Sequence, residues 1–257
     1  MSGREPDIYS FFKEFKEYKE CEGAMKNAFS RDKLKITCDS FSTGVQKFGN
    51  ERANDVCVKF KILCKVIQSK KKNPNTENLN DIDFAYLNYW LNSLSRNTTI
   101  NHDLTVDQFQ KEMSDREYEF VSVTFDKKLY DIKDEDFNNM ILLSDLYFHH
   151  GEIFNKTSKI GNEKIPCIGY FEKYINTYKQ GIIQCPHDNT SFCEALKHVK
   201  EFTPFRQWIH SKIGKNKGAH SIVHEENDQL SLDISDNENI NFYEIPYRIS
   251  YDSVANY

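Results

Sequence analysis

The seven cysteines of this 257-residue chain are its main candidates for covalent chemistry, because two cysteines can be oxidised to a disulfide. They are Cys21, Cys38, Cys57, Cys64, Cys167, Cys185 and Cys193. Cys57 and Cys64 lie in one segment with helical spacing, which puts their Cα atoms about 10.5 Å apart. A disulfide needs a Cα separation of about 4.4–6.8 Å. These two therefore cannot bond each other, and each would have to reach another element.

The possible partners of Cys57 and Cys64 are Cys21 and Cys38 upstream and the remaining three cysteines downstream. Cys185 and Cys193 flank a polar loop and could close it. The odd number of cysteines leaves at least one thiol free. The alternative, seven reduced cysteines in a cytosolic protein, stays open, because disulfide formation depends on the redox compartment.

The best candidate for a metal site combines Cys185 and Cys193 with His187 and His198. Zinc accepts such ligands, but structural zinc sites use closely paired ligands such as Cys-x-x-Cys. That spacing is absent from this segment. A cysteine engaged in a disulfide could not bind the ion at all. We therefore predict no metal site.

No motif singles out a catalytic residue. A Cys–His nucleophile pair needs a lowered thiolate pKa and an oriented base, and the many cysteines and histidines here make chance pairs common. The acidic residues in the first turns of two predicted helices are better explained by the positive end of a helix than by catalysis. They are Asp81, Asp83, Asp134, Glu135 and Asp136. We predict that the chain is not an enzyme and binds no cofactor.

A predicted helical hairpin carries the central cysteines. Apolar residues three and four apart mark one face in each half, which is the spacing of amphipathic helices. They are Val56, Phe60, Leu63 and Ile67 in the first helix, and Phe84, Leu87, Trp90 or Leu91, and Leu94 in the second. The segment between them contains Lys70, Lys71, Lys72 and Pro74, and it predicts an exposed, solvated loop.

Related patterns predict further helices. The first starts near Pro6, turns Phe11, Phe12, Phe15 and Tyr18 inward, and ends at residues 21–23. Residues 24–29 and 40–48 are ambiguous and can form short helices. Thr105 is a suitable N-cap for the next helix, and residues 121–125 are predicted to be an extended connector.

Three more helices are predicted in the second half of the chain. One spans residues 134–154, with Phe137, Ile141, Leu142, Asp145 and Phe148 at helical offsets. The next spans residues 167–184, and its predicted inward residues are Ile168, Phe171, Tyr174 or Ile175, Tyr178 and Ile182. The last opens at a capping box formed by Ser191 and Glu194 and is interrupted near Pro204.

These patterns predict an all-α protein, an irregular multi-helix bundle of about eight helices that disulfides staple together. Gly (10) and Pro (6) are too sparse for a β-sandwich, which needs a turn signal every ~8–12 residues. We place a helical domain at residues 1–213 and a low-complexity, disordered acidic tail at residues 214–257, where apolar residues are too few for a core.

The charge distribution argues against a nucleic-acid partner. Residues 225–244 hold seven acids and no Lys or Arg, and without them the net charge changes from −5 to +2. A nucleic-acid-binding surface would need a concentrated basic face. The start of the chain lacks the apolar run of a secretory signal peptide. Nor does any stretch reach the ~18 apolar residues of a membrane span.

The hairpin motifs resemble those of a known family. The Cys-x-x-Phe-x-x-Leu-Cys pattern of residues 57–64 is followed by Phe-x-Tyr-Leu-Asn-Tyr-Trp-Leu at residues 84–91. A third block, Phe-Cys-Glu-Ala-Leu at residues 192–196, follows Tyr-Phe-x-x-Tyr at residues 170–174 and Cys185. Together they resemble the PIR (Plasmodium interspersed repeat) proteins of malaria parasites, in particular the VIR variant antigens, over roughly residues 5–212.

The resemblance implies an all-helical ectodomain, export to the interior or the surface of the infected red cell, and a role in antigenic variation, immune evasion and contact with a host-cell receptor. Family members often carry a membrane span, which this sequence does not show. The expected contact surfaces are the loops at residues 69–82, 96–104, 155–166 and 185–191, because loops tolerate substitution. The alternative is an intracellular all-helical interaction module with reduced cysteines.

Overall fold

A computed structural model describes residues 7–31, 36–41, 45–73, 78–97, 104–117, 128–157, 168–185 and 190–201. Helices dominate these residues, which confirms the predicted all-α class. They are α1 (Phe15–Ser30), α2 (Ala53–Ser69), α3 (Asp81–Ser95), α4 (Val106–Arg116), α5 (Asp134–Thr157), α6 (Ile168–Ile183) and α7 (Ser191–Glu201). A 3-10 helix (Ser10–Glu14) precedes α1. The predicted boundary near residue 213, the acidic tail and the connector at 121–125 lie outside the described residues.

The first helical segment begins later and ends later than predicted. It starts at Ser10 rather than near Pro6, and α1 passes through Gly23 to reach Ser30. Glycine costs a helix only about 1 kcal/mol relative to alanine. The buried face continues beyond Gly23 to Met25, and α1 packs along α2. Tertiary packing therefore outweighs the local preference to end at the glycine.

The helix considered for residues 40–48 is not formed. Ser40 lies in a turn, and Lys47–Phe48 (β1) pairs antiparallel with Glu51–Arg52 (β2). Gly49 occupies the connecting turn at φ +60°, a region that favours glycine. A Cβ on Gly49 would overlap the carbonyl oxygen of Leu94 at the end of α3. Only glycine lets this hairpin approach α3 so closely.

The helical hairpin predicted around residues 51–95 is confirmed as α2 and α3. The predicted inward residues Phe60, Leu63, Phe84 and Leu87 are all buried. Asn80 caps α3 by accepting a hydrogen bond from Asp83 N at 3.0 Å, and the Asp83 carboxylate accepts one from Asn80 N at 2.7 Å. This reciprocal pair satisfies two backbone donors at the helix start.

Two further caps test the predicted helix starts. Thr105 caps α4 as predicted, with its Oγ1 accepting a hydrogen bond from Gln108 N at 3.2 Å. The prediction for α7 was wrong by one residue: Thr190 Oγ1 accepts the hydrogen bond, from Cys193 N at 3.2 Å, and Ser191 is already helical. Threonine and serine are both suitable N-caps, so adjacent candidates cannot be separated by type alone.

Two buried asparagines on α3 hold a non-helical segment against the helix. Asn92 Nδ2 donates to the carbonyl oxygen of Tyr130 at 2.9 Å, and its Oδ1 accepts from Ile132 N at 3.0 Å. One turn earlier, Asn88 Oδ1 accepts from Tyr130 N at 3.0 Å. The two side chains thus satisfy partly and fully buried backbone groups much as a neighbouring strand would. This contact leads the chain from α4 into α5.

Aromatic rings fill the core in two groups. One joins the 3-10 helix and α1 to α3 and α5, and it contains Phe11, Phe12, Phe15, Tyr86, Tyr89 and Tyr147. The other joins residues 41–48 to α2 and α4, and it contains Phe41, Phe48, Phe60 and Phe109. Ring pairs of this kind add about 0.5–1.5 kcal/mol each beyond their buried area.

The helix α5 forms as predicted but presents a different face. Phe137 is buried, whereas Phe148 is 63% exposed; the buried stripe continues through Met140, Leu143 and Leu146. The predicted offsets matched helical spacing, but an aromatic ring does not itself identify which face packs inward. The helix packs against α6 and α7. Ile182, expected inward on α6, is 36% exposed.

Across the described helices, none is long and apolar enough to cross a membrane.

Candidate disulfide staples and the contacts around them

The first bonded cysteine pair fastens the segment at residues 36–41 to α2. Cys38 and Cys57 form a disulfide with their Cα atoms 6.0 Å apart, within the usual range. Both cysteines are buried. Of the possible partners of Cys57, the structure selects Cys38, and the prediction that Cys57 does not bond Cys64 is confirmed.

A buried carboxylate organises the backbone beside this disulfide. Glu117 follows the last turn of α4, and its Oε1 accepts hydrogen bonds from Asp39 N at 2.6 Å and from Ser40 N and Oγ at 2.9 Å. The other oxygen, Oε2, pairs with the ammonium group of Lys61 on α2. Lys61 Nζ also donates to the carbonyl oxygen of Thr37 at 2.8 Å. One carboxylate therefore joins three chain segments.

Burial raises the pKa of Glu117, but its hydrogen bonds with Lys61 and Ser40 and with Asp39 N–H outweigh that effect and hold the pKa below its ordinary value. Glu117 is therefore ionised at neutral pH. A buried ion pair of this kind adds little net stability by itself, yet removing one partner is costly because the other charge stays buried. The pair serves mainly to fix the position of residues 37–40.

Sulfur and carboxylate donors converge at this staple. The Sδ of buried Met113 on α4 lies 3.1 Å from Cys57 Sγ. One donor atom from each of Cys38, Cys57 and Glu117 lies within 4.8 Å of the others. Sequence reasoning missed both Met113 and Glu117 as neighbours of the cysteines. No sequence signal marks them, because a methionine within a helix and a glutamate just after its end are ordinary residues until the fold brings them beside Cys38 and Cys57.

The second bonded pair joins the end of α6 to the first turn of α7. Cys185 and Cys193 form a disulfide with a Cα separation of 5.6 Å, which confirms that they close the polar loop between them. Cys193 is buried, and Thr190 Oγ1 lies 2.9 Å from its sulfur. With both sulfurs in this bond, neither is available for the zinc set considered with His187 and His198. His187 lies outside the described residues.

Cys21 and Cys64 are buried and carry free thiols. Burial raises the pKa of both thiols above the ordinary value, so neither has the thiolate character of a nucleophile at neutral pH. Cys167 lies outside the described residues.

Only the ends of the four predicted contact loops are described, since residues 74–77, 98–103, 158–166 and 186–189 lie outside the described residues. Residues 155–157, predicted to begin a loop, instead continue α5. The base of the loop at residues 69–82 is described in full. Lys71 Nζ lies 2.6 Å from Oδ2 of the buried Asp83, which also accepts a hydrogen bond from Tyr18 at 2.9 Å. The expectation that Lys71 is simply solvated was therefore wrong. Like Asp81, Asp83 stands in the first turn of α3, as predicted for a helix-start acid. The residues 134–136 likewise form the first turn of α5.

Comparisons with known proteins found no match for this chain. No protein-family model matches the chain, and no curated protein or solved structure matches it. The resemblance to PIR proteins therefore rests on the sequence motifs given above. The described residues therefore form a helical domain in which two disulfides join neighbouring segments, and a buried ion pair reinforces the first of these disulfides.

Proposed function

We propose that this chain is a non-catalytic interaction scaffold: an exported or surface variant antigen of the PIR type, made by a malaria parasite, that contacts a host-cell protein through its loops. The observation that carries the proposal is the presence of two disulfides, Cys38–Cys57 and Cys185–Cys193. Disulfides of this structural kind persist in oxidising surroundings and are rare in a reducing cytosol. The helical motifs supply the family resemblance.

The way the loops are anchored supports this role. The α2–α3 connection is held at its base by Lys71 and Asp83, and the α6–α7 connection by the Cys185–Cys193 bond. Because the ends of each loop are attached to the helices in this way, residues between the attachment points can be substituted without disturbing the aromatic core. Such tolerance suits an antigen that varies under immune pressure, because exposed loops bury little and accept substitution.

A binding screen tests the proposal. The full oxidised chain, made multivalent on beads, is presented to a panel of host red-cell and leukocyte surface proteins. We expect at least one specific binder whose capture is lost when residues 74–77 and 186–189 are replaced by Gly-Ser linkers of equal length. The replacements leave Lys71, Asp83 and the cysteines in place, so circular dichroism should be unchanged. Absence of any binder, or binding that survives both replacements, would count against the role assigned to the loops.

The intracellular interaction module is the competing function. It requires all seven cysteines to be reduced in the protein isolated from its source, whereas the exported scaffold requires at least the two bonded pairs. The two proposals also differ in their partners, since a cytosolic module would bind intracellular proteins and show no preference for host surface proteins.

A further inference from the structure

We propose that Cys38, Cys57 and Met113 form a binding site for monovalent copper, Cu(I), when the Cys38–Cys57 disulfide is reduced. The site would be occupied before the chain reaches an oxidising compartment and lost when the disulfide forms. This inference goes beyond the scaffold role: the copper site itself does not depend on that role, whereas the loss of copper during export rests on the proposed function.

The geometry brings three sulfur atoms together. Cys38 and Cys57 are bonded sulfurs, and Met113 Sδ lies 3.1 Å from Cys57 Sγ. Met113 and Cys57 are fully buried, and Cys38 is nearly so. The thiolate and thioether ligands of Cys and Met are soft donors that select Cu(I). Reduction of the disulfide would therefore leave two thiols and one thioether close enough together to bind a single ion.

The surroundings favour Cu(I) over Zn²⁺. Zinc in a structural site takes four ligands, and among the described residues the Glu117 carboxylate has an oxygen within 4.8 Å of both cysteine sulfurs. Both of its oxygens already hold partners: Oε1 accepts from Asp39 and Ser40, and Oε2 pairs with Lys61. Recruiting it would break a buried ion pair and expose a dication to the neighbouring ammonium group. Cu(I) needs only the sulfurs, and Glu117 can keep its bonds.

The segment that carries Cys38 gives the site room to open. Thr37 and Asp39, on either side of Cys38, are exposed. Cys57, by contrast, is held in the first turns of α2. After reduction, the Cys38 side chain can rotate away from Cys57, while the bonds of Glu117 and Lys61 keep the backbone of residues 37–40 in place.

The chemistry balances with a cellular thiol reductant such as glutathione. Two thiol molecules supply two electrons and two protons, become one disulfide, and convert the Cys38–Cys57 bond to two thiols. Binding of Cu(I) then displaces protons from these thiols to solvent, because the thiolate is the ligand form. The copper remains Cu(I) throughout. Reoxidation by a disulfide such as oxidised glutathione transfers two electrons from the thiolates to that disulfide, which becomes two thiols by taking up two protons; the Cys38–Cys57 bond reforms and the ion is released.

The test uses the full chain with Cys185→Ser and Cys193→Ser, which removes the other bonded pair as a source of thiols. The protein is reduced with a phosphine and titrated anaerobically with Cu(I) against a chromophoric Cu(I) chelator. We expect one Cu(I) per chain and sulfur-only coordination by X-ray absorption. Adding Cys38→Ser and Cys57→Ser should weaken binding at least about 100-fold, and Met113→Leu about tenfold, comparable to the loss of a supporting contact at a metal site.

Met113→Leu is the decisive variant, because it keeps both cysteines and a similar side-chain volume. Unchanged copper affinity and an unchanged sulfur count in this variant would overturn the site. So would binding that survives loss of both cysteines, or tighter binding of Zn²⁺ that is lost in Glu117→Gln. If reduction lowers the helical signal in circular dichroism, Cu(I) should restore it, since metal binding is coupled to folding; failure to restore it would equally contradict the proposal.

Discussion

The sulfur of Cys38 lies 3.4 Å from Oε1 of Glu117, a residue 79 positions further along the chain. The same oxygen accepts the backbone N–H groups of Asp39 and Ser40. Two interactions therefore hold residues 36–41 in place: the Cys38–Cys57 disulfide to α2, and the hydrogen bonds to the Glu117 carboxylate just after α4. Mutation can remove either interaction without the other.

Glu117→Gln should lower the free energy of unfolding at pH 7 by about 3 kcal/mol, because it removes the negative charge that pairs with the buried Lys61 ammonium group. Since the pKa of Glu117 is below its ordinary value in the fold, its contribution is present above about pH 4.3 and is lost as pH falls through the folded-state pKa. The gap between wild type and variant should therefore narrow below about pH 4.

Urea unfolding of both proteins at pH 7 and at pH 3.5 measures this difference. Asp115→Asn is the matched control, since Asp115 is exposed near the end of the same helix. A gap that is equally wide at both pH values would show that Glu117 does not act through its charge.

Gly49→Ala should destabilise the protein by about 1–3 kcal/mol, the cost of holding a non-glycine residue at positive φ, with the overlap at Leu94 adding to it. Gly23→Ala is the matched control. Gly23 lies within α1, and an added Cβ would meet nothing within 4 Å, so this change should stabilise by up to about 1 kcal/mol. Thermal unfolding followed by circular dichroism compares the two. Effects of the same sign would contradict the account of the β1–β2 turn.

Asn92→Ala should cost about 2–3 kcal/mol, because it removes the hydrogen bonds that Asn92 makes with the part-buried Tyr130 carbonyl and the buried Ile132 N–H. Faster hydrogen exchange of the Ile132 amide should accompany the loss. Ser93→Ala removes only a local bond to the Trp90 carbonyl oxygen and should change stability by less than about 0.5 kcal/mol. Similar losses in the two variants would refute the idea that Asn92 positions residues 130–132.

Replacing each bonded pair with serines should lower stability by amounts that follow the length of the closed loop. In the chain-entropy treatment, the Cys38–Cys57 bond, with a separation of 19, contributes about 3 kcal/mol, and the Cys185–Cys193 bond, with a separation of 8, about 2.5 kcal/mol. Denaturant unfolding of the two double variants gives both values. A neutral result for the Cys38→Ser and Cys57→Ser variant would mean that Glu117 and Lys61 alone hold the segment.

The helical class, most helix positions and the Cys185–Cys193 bond could be predicted from local sequence patterns. Helical periodicity, helix caps and short loops each depend on only a few neighbouring residues. They could not place Glu117 beside Cys38 or Asn92 beside Ile132. Those contacts depend on the relative arrangement of helices that are distant in sequence. The same reason explains the error at Phe148, where helical spacing was right and the inward face was decided by α6 and α7.

The most direct test of the account is the number of free thiols in the protein isolated from its natural source, denatured in guanidinium without reductant. Two disulfides among seven cysteines leave three, and one further bond among these would leave a single thiol. Peptide mapping should recover the Cys38–Cys57 and Cys185–Cys193 cross-links. A result of seven thiols, or a different pairing of Cys57, would contradict the account.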